Sequence, residues 1–156
     1  MKFLVDENES ANVCGPLAQL HPGHVFRHVT DEGLNGLQDV DLFAAMAERD
    51  FGALITLDGA QITQNEPELV ALIDHGIHWV GRRHSKVGGA RRLAIATSTL
   101  IGAMPDVIDQ IEAATTPLHL FLPNVQIGVG QRVKVSTLES HHVHLTKALA
   151  TRAARP

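Results

Sequence analysis

The chain has 156 residues, 44% of them hydrophobic and 19% charged, with 17 Asp and Glu against 13 Lys and Arg, ten His and a formal charge of −4. That length and composition suit one globular domain with a real apolar core and exclude a disordered tail. The acidic balance argues against a broadly basic nucleic-acid-binding surface, and the single cysteine, Cys14, excludes an intrachain disulfide or a thiolate zinc cluster.

Phe3-Leu4-Val5 reads as a short buried strand broken by Asp6-Glu7-Asn8-Glu9-Ser10. The apolar run is too short for a signal peptide, and no stretch approaches the roughly 20 apolar residues of a spanning helix, so a cytoplasmic protein with no membrane segment is expected. A helix is predicted over Ala11–Leu20 with Ser10 as N-cap, packing Cys14, and His21-Pro22-Gly23 ends it. A second strand follows at His24–Val29, then a loop over Thr30–Gln38. Asp39–Arg49 carries Val40, Phe43, Ala44, Met46 and Ala47 at helical spacing, with acids in the first turn where the helix dipole favours them.

Ala53–Leu57 is the clearest strand and stops at Asp58-Gly59. Glu66–His75 reads as a helix with Pro67 near its start, Ile77–Val80 as a fourth strand ending at Gly81-Arg82-Arg83, and Ala90–Ala114 as a long helix with a kink expected near Gly102 or Pro105. Leu118–Leu122 supplies a fifth strand. Strands separated by helices of this length imply βαβ units and a mostly parallel sheet with helices on both faces, an α/β fold. Residues 125–138 alternate about Gly130-Gln131 as in a β-hairpin, followed by His141, His142 and His144 and by the basic residues Lys147, Arg152 and Arg155. The domain is thus expected over residues 1–122, with a C-terminal hairpin-like extension over 123–156. The three histidines read as surface residues rather than metal ligands.

Ligands of open α/β sheets bind beyond the carboxyl ends of the strands, near the point where strand order reverses. Asp6, with Glu7, follows the first strand, Asp58 follows the third, and Asp39 and Asp41 open the helix between. Carboxylates gathered there repel one another, and their natural neutraliser is a hard divalent cation bound through oxygen. Arg82, Arg83 and Lys86 follow the fourth strand and are expected to hold phosphates at the same edge, with Arg91 and Arg92 extending the patch. One competing reading is a receiver module, with Asp6-Glu7 as its Mg²⁺ pair and Asp58 as phosphoacceptor. It expects Ser or Thr at the end of strand four and Lys at the end of strand five, where the chain has Gly81-Arg82 and Pro123-Asn124.

Lys2-Phe3-Leu4-Val5-Asp6-Glu7-Asn8, Gly23-His24-Val25, Asp39-Val40-Asp41-Leu42 and Leu54-Ile55-Thr56-Leu57-Asp58 together resemble the PIN-like domains over roughly residues 1–85, above all the small toxin components of toxin–antitoxin pairs. The resemblance implies a three-layer α/β/α fold and a ribonuclease dependent on Mg²⁺ or Mn²⁺ that cleaves single-stranded RNA. It places Asp6, Asp39 and Asp58 as metal-binding catalytic acids, with Asp41 as the substitute for Asp39 and with Glu7, Thr56 and Glu68 in support. It also implies a small cognate antitoxin as partner and allows a homodimer. One position departs from the pattern: Ala60 stands where relatives carry an acid or polar residue, which weakens metal binding or shifts it to Glu66 or Glu68, and leaves open a binding module that no longer cleaves.

Overall fold

The computed structural model describes residues 1–125. The expected hairpin lies, apart from Val125, outside the described residues, as do His141, His142, His144, Lys147, Arg152 and Arg155. Five strands, β1 (Lys2–Val5), β2 (Val25–His28), β3 (Phe51–Thr56), β4 (His78–Arg82) and β5 (His119–Leu122), form one sheet in the order β2-β1-β3-β4-β5. Every pairing is parallel. The order reverses at β1, which has β2 on one side and β3 on the other, so the carboxyl end of β1 is the crevice where such sheets take ligands.

Alternation along the strands builds two cores. Phe3, Val5, Ala53, Ile55 and Val80 face one way, against Leu17 of α1 (Cys14–Leu20) and Leu100, Met104 and Val107 of the long helix α5 (Gly89–Ala113). Leu4, Leu54 and Trp79 face the other way, against Phe43 and Met46 of α2 (Asp39–Glu48) and Leu72 of α4 (Glu66–Asp74). Sheet residues with a two-residue period and helix stripes on both sides give the α/β/α sandwich. Most of these side chains are 0–4% exposed, and burying a large aliphatic or aromatic side chain contributes roughly 1.5–3 kcal/mol.

Several boundaries differ from the sequence expectation. The first helix begins at Cys14, preceded by a 3₁₀ turn over Ala11–Val13 that Ser10 Oγ caps by accepting the Asn12 N–H at 3.4 Å. Pro16 has no N–H to close a helical bond to Asn12, so it fits only the first turn of a helix. A short helix, α3 (Ala60–Thr63), follows Asp58 where none was expected. The fourth strand runs on to Arg82 rather than ending at Val80. No described helix is long and apolar enough to cross a membrane.

Candidate active site

The site is built from the end of β1 outward. Asp6 continues the ladder by donating its N–H to Ile55 O at 2.9 Å, and it is 6% exposed. Its Oδ2 accepts from Thr56 Oγ1 at 2.7 Å and Asn8 Nδ2 at 2.8 Å, and its Oδ1 accepts from the Glu7 N–H at 2.7 Å. Burial pushes the Asp6 carboxyl above its ordinary proton affinity. The Thr56 and Glu7 donors work against that shift, while the charges of Asp39 and Glu7 add to it.

Thr56, fully buried at the end of β3, ties the first acid to the third. Its hydroxyl donates to Asp6 and accepts the Asp58 N–H at 3.0 Å. Asn8 closes the arrangement, donating to Thr56 Oγ1 at 3.1 Å while its Oδ1 accepts the Leu57 N–H at 2.9 Å. Asp58 then turns the chain into α3, its Oδ1 accepting the Ala60 N–H at 2.9 Å. Ala60 therefore helps orient Asp58 through its backbone, whatever its side chain lacks.

The helix-start acid that faces this edge is Asp39. Its Oδ1 accepts from Gln61 Nε2 at 3.0 Å, and its carboxyl is pushed up to about 6 by burial. The Gln61 donor lowers it, Glu68 raises it through its charge and a close carboxyl–carboxyl contact, and Asp58 raises it through its charge. Asp41 lies two residues on, a rotation of roughly 200° around the helix, and is exposed. Of the two, Asp39 is the one beside Glu68 and Asp58. Glu68, from α4, has a buried Oε2 with no hydrogen-bond partner, which is costly for a carboxylate oxygen.

Asp6, Asp39, Asp58 and Glu68 therefore form one electrostatically linked group of acids drawn from four elements. Among the described residues no three His, Cys, Asp or Glu side chains converge tightly enough to enclose an ion. By the chemistry of its donors, though not by their spacing, the set is of the kind that Mg²⁺ or Mn²⁺ takes. It is all oxygen, it is crowded with like charge, and it includes an unpartnered buried carboxylate oxygen. Mg²⁺ in particular keeps several waters and takes one or two carboxylates rather than a full protein cage.

One expected phosphate contact is corrected. Arg82 is 3% exposed and is consumed by a buried ion pair with Glu9. Its Nε donates to Glu9 Oε2 at 2.6 Å, and its Nη1 donates to Arg83 O at 3.2 Å. Glu9 Oε1 accepts the Ser10 N–H at 2.9 Å, and Glu9 O bonds the buried His28 Nε2 at 3.3 Å. The guanidinium is a strut that pins the 6–10 loop to β4. Arg83 and Lys86 are exposed, and Arg83 lies over the Phe121 ring at 5.6 Å. Glu7 is exposed, with Oε2 accepting the Gly36 N–H at 3.4 Å. A cavity of about 350 Å³ is lined by Glu7, Asn8, Glu9, Ser10, Arg82 and Arg92, and by none of Asp6, Asp39, Asp58 and Glu68.

Asn8, Glu9, Gln61 and Trp79 tie the site to its surroundings, although no sequence pattern gives them a role. Asn8 directly follows Asp6-Glu7, and that position is its one signal. Gln61 has none, because its contact is with a tryptophan 18 residues away.

The strand order is one that receiver modules share, but Gly81 and Pro123-Asn124 occupy the strand ends where a receiver places its Ser or Thr and its Lys. A family model described as a PIN-like domain matches residues 1–82, more than half of the chain. No curated protein and no solved structure matches it.

Proposed function

This chain belongs to the PIN-like domain family, and from that premise we propose that it is a divalent-metal-dependent endoribonuclease acting on single-stranded RNA, the toxin of a toxin–antitoxin pair. The family's nuclease-type fold supplies the class of chemistry. The observation that supports the reading on this chain is the gathering of Asp6, Asp39 and Asp58, with the unpartnered Glu68 Oε2, at the carboxyl edge of β1 and β3.

In this reading Asp6, Asp39 and Asp58 hold Mg²⁺ or Mn²⁺ and Glu68 stands in for the side chain that Ala60 lacks. The ion, when bound, lowers the pKa of a water and neutralises charge developing on the phosphate. Thr56 and Asn8 keep Asp6 Oδ2 oriented, and the backbone N–H of Ala60 does the same for Asp58. Arg83 and Lys86 sit in the exposed loop after β4, free of the core, and suit contact with the RNA backbone. A small antitoxin carrying basic side chains fits the same acidic edge, and a homodimer remains compatible with it.

The test is cleavage of a single-stranded RNA in Mg²⁺ by the wild type and by Asp6→Ala and Asp58→Ala. Loss of cleavage in both variants, with their fold retained by circular dichroism, supports the assignment. Wild-type rates in both would sink it.

A further inference from the structure

Gln61 is 1% exposed, and a primary amide buried that deeply is costly unless both of its ends are hydrogen-bonded. Both ends are used. Trp79 Nε1 donates to Gln61 Oε1 at 3.1 Å, and Gln61 Nε2 donates to Asp39 Oδ1 at 3.0 Å. An indole N–H can only donate, so it fixes the amide oxygen on its own side and turns the NH₂ toward the carboxylate. Trp79 is itself immobilised. It is 4% exposed, its ring lies over Gly81 two residues along the same face of β4, and a Cβ at Gly81 would overlap that ring. His119 packs at 4.8 Å between ring centroids.

From this geometry we infer that Gln61 is a positioning residue, held in one orientation by Trp79, that fixes the Asp39 carboxylate against Asp58 and Glu68 and so sets the divalent-cation dependence of the site. The inference rests on the nuclease reading and adds to it a chain of contacts from the hydrophobic core to an acid. A leucine would fill the same space in a purely structural role. What leucine lacks is the donor, and without it Asp39 is no longer held at Oδ1. Residues that orient a metal-binding side chain in this way typically change metal affinity about 10–100-fold when lost.

Trp79 is the single tryptophan of the chain, so one indole N–H resonance reports the contact in the full-length protein. Asp39→Ala should shift that resonance when Gln61 is present and leave it unmoved in the Gln61→Leu background. In cleavage of a single-stranded RNA, Gln61→Leu should raise the half-saturating Mg²⁺ concentration about 10-fold or more with KM for RNA unchanged. Trp79→Phe, which keeps an aromatic ring but loses the N–H, should act in the same direction, and the double variant should be no worse than Gln61→Leu. Thermal melts establish that each variant is folded. Equal indole shifts in both backgrounds, or wild-type Mg²⁺ dependence in folded Gln61→Leu and Trp79→Phe, overturns the inference while leaving the nuclease reading intact. A wild type that cleaves no RNA overturns that reading and the cation role together, and the indole resonance separates this outcome from failure of the Gln61 contact itself.

Discussion

Asp39 carries a cost in the folded protein. Its carboxyl is raised from 3.8 to about 6 because burial disfavours its charge, with Glu68 and Asp58 adding repulsion. The folded protein therefore holds this proton more tightly than the unfolded chain, and stability falls as pH rises from about 3.8 to about 6. Above that window the penalty is complete. Asp39→Asn, which can still accept from Gln61, should raise the melting temperature at pH 7–8 in chelator and give no gain below about pH 4. Thermal denaturation across that range checks the sign. Arg82 and Arg83 make a second contrast at this scale. Arg82→Ala strands Glu9 as an unpaired buried charge and should cost about 3–5 kcal/mol. Arg83→Ala, on the exposed side, should change stability by no more than about 0.5 kcal/mol while weakening RNA binding. Denaturant unfolding of both variants tests the pair.

Elements deliver these residues, and their boundaries decide what each side chain can do. Apolar patterning alone ends the fourth strand at Val80 and places Arg82 in a loop with Arg83. The strand in fact continues, and side chains two apart on a strand share a face, so Arg82 follows Val80 into the interior, where Glu9 meets it, while Arg83 lies past the strand's end and is exposed. Gly81, between them, accepts the Trp79 ring where no Cβ fits. Gly81→Ala should displace the indole, lower the melting temperature, and raise the half-saturating Mg²⁺ concentration as Gln61→Leu does, although it changes neither Gln61 nor Asp39. Strand–helix alternation was legible because apolar periodicity is written in Phe3, Val5, Ala53 and Ile55. The acids Asp6, Asp39 and Asp58 were legible because they stand at element ends. α3 was not, since four residues carry too little periodicity, and the Trp79–Gln61–Asp39 contacts were not, since they arise only when three separate elements pack.

Across the whole molecule the modest charge of −4 conceals a polar arrangement. Acids gather at the carboxyl ends of β1 and β3. The amino ends carry Lys2, Arg27 and Arg49 around Glu32 and Asp50, lining a cavity of about 430 Å³. On the proposed reading, part of the acidic balance that argued against a broad basic RNA surface sits where a bound divalent cation would reverse the local sign. In that reading, RNA approaching that edge would need the cation first, with the exposed Arg83 and Lys86 as further contacts. Affinity of the wild type for a cleavage-resistant RNA analogue should therefore rise when the chelator is replaced by Mg²⁺, as filter binding at fixed ionic strength would show. The central claim is that Asp6, Asp39 and Asp58 act as a single cation-binding unit, and calorimetric titration of Mn²⁺ into the chain at pH 7 tests it most directly. Saturable binding to the wild type and to Arg83→Ala, lost in Asp6→Asn and Asp39→Asn, is the result expected. No binding to the folded wild type, or undiminished binding to both aspartate variants, would contradict it.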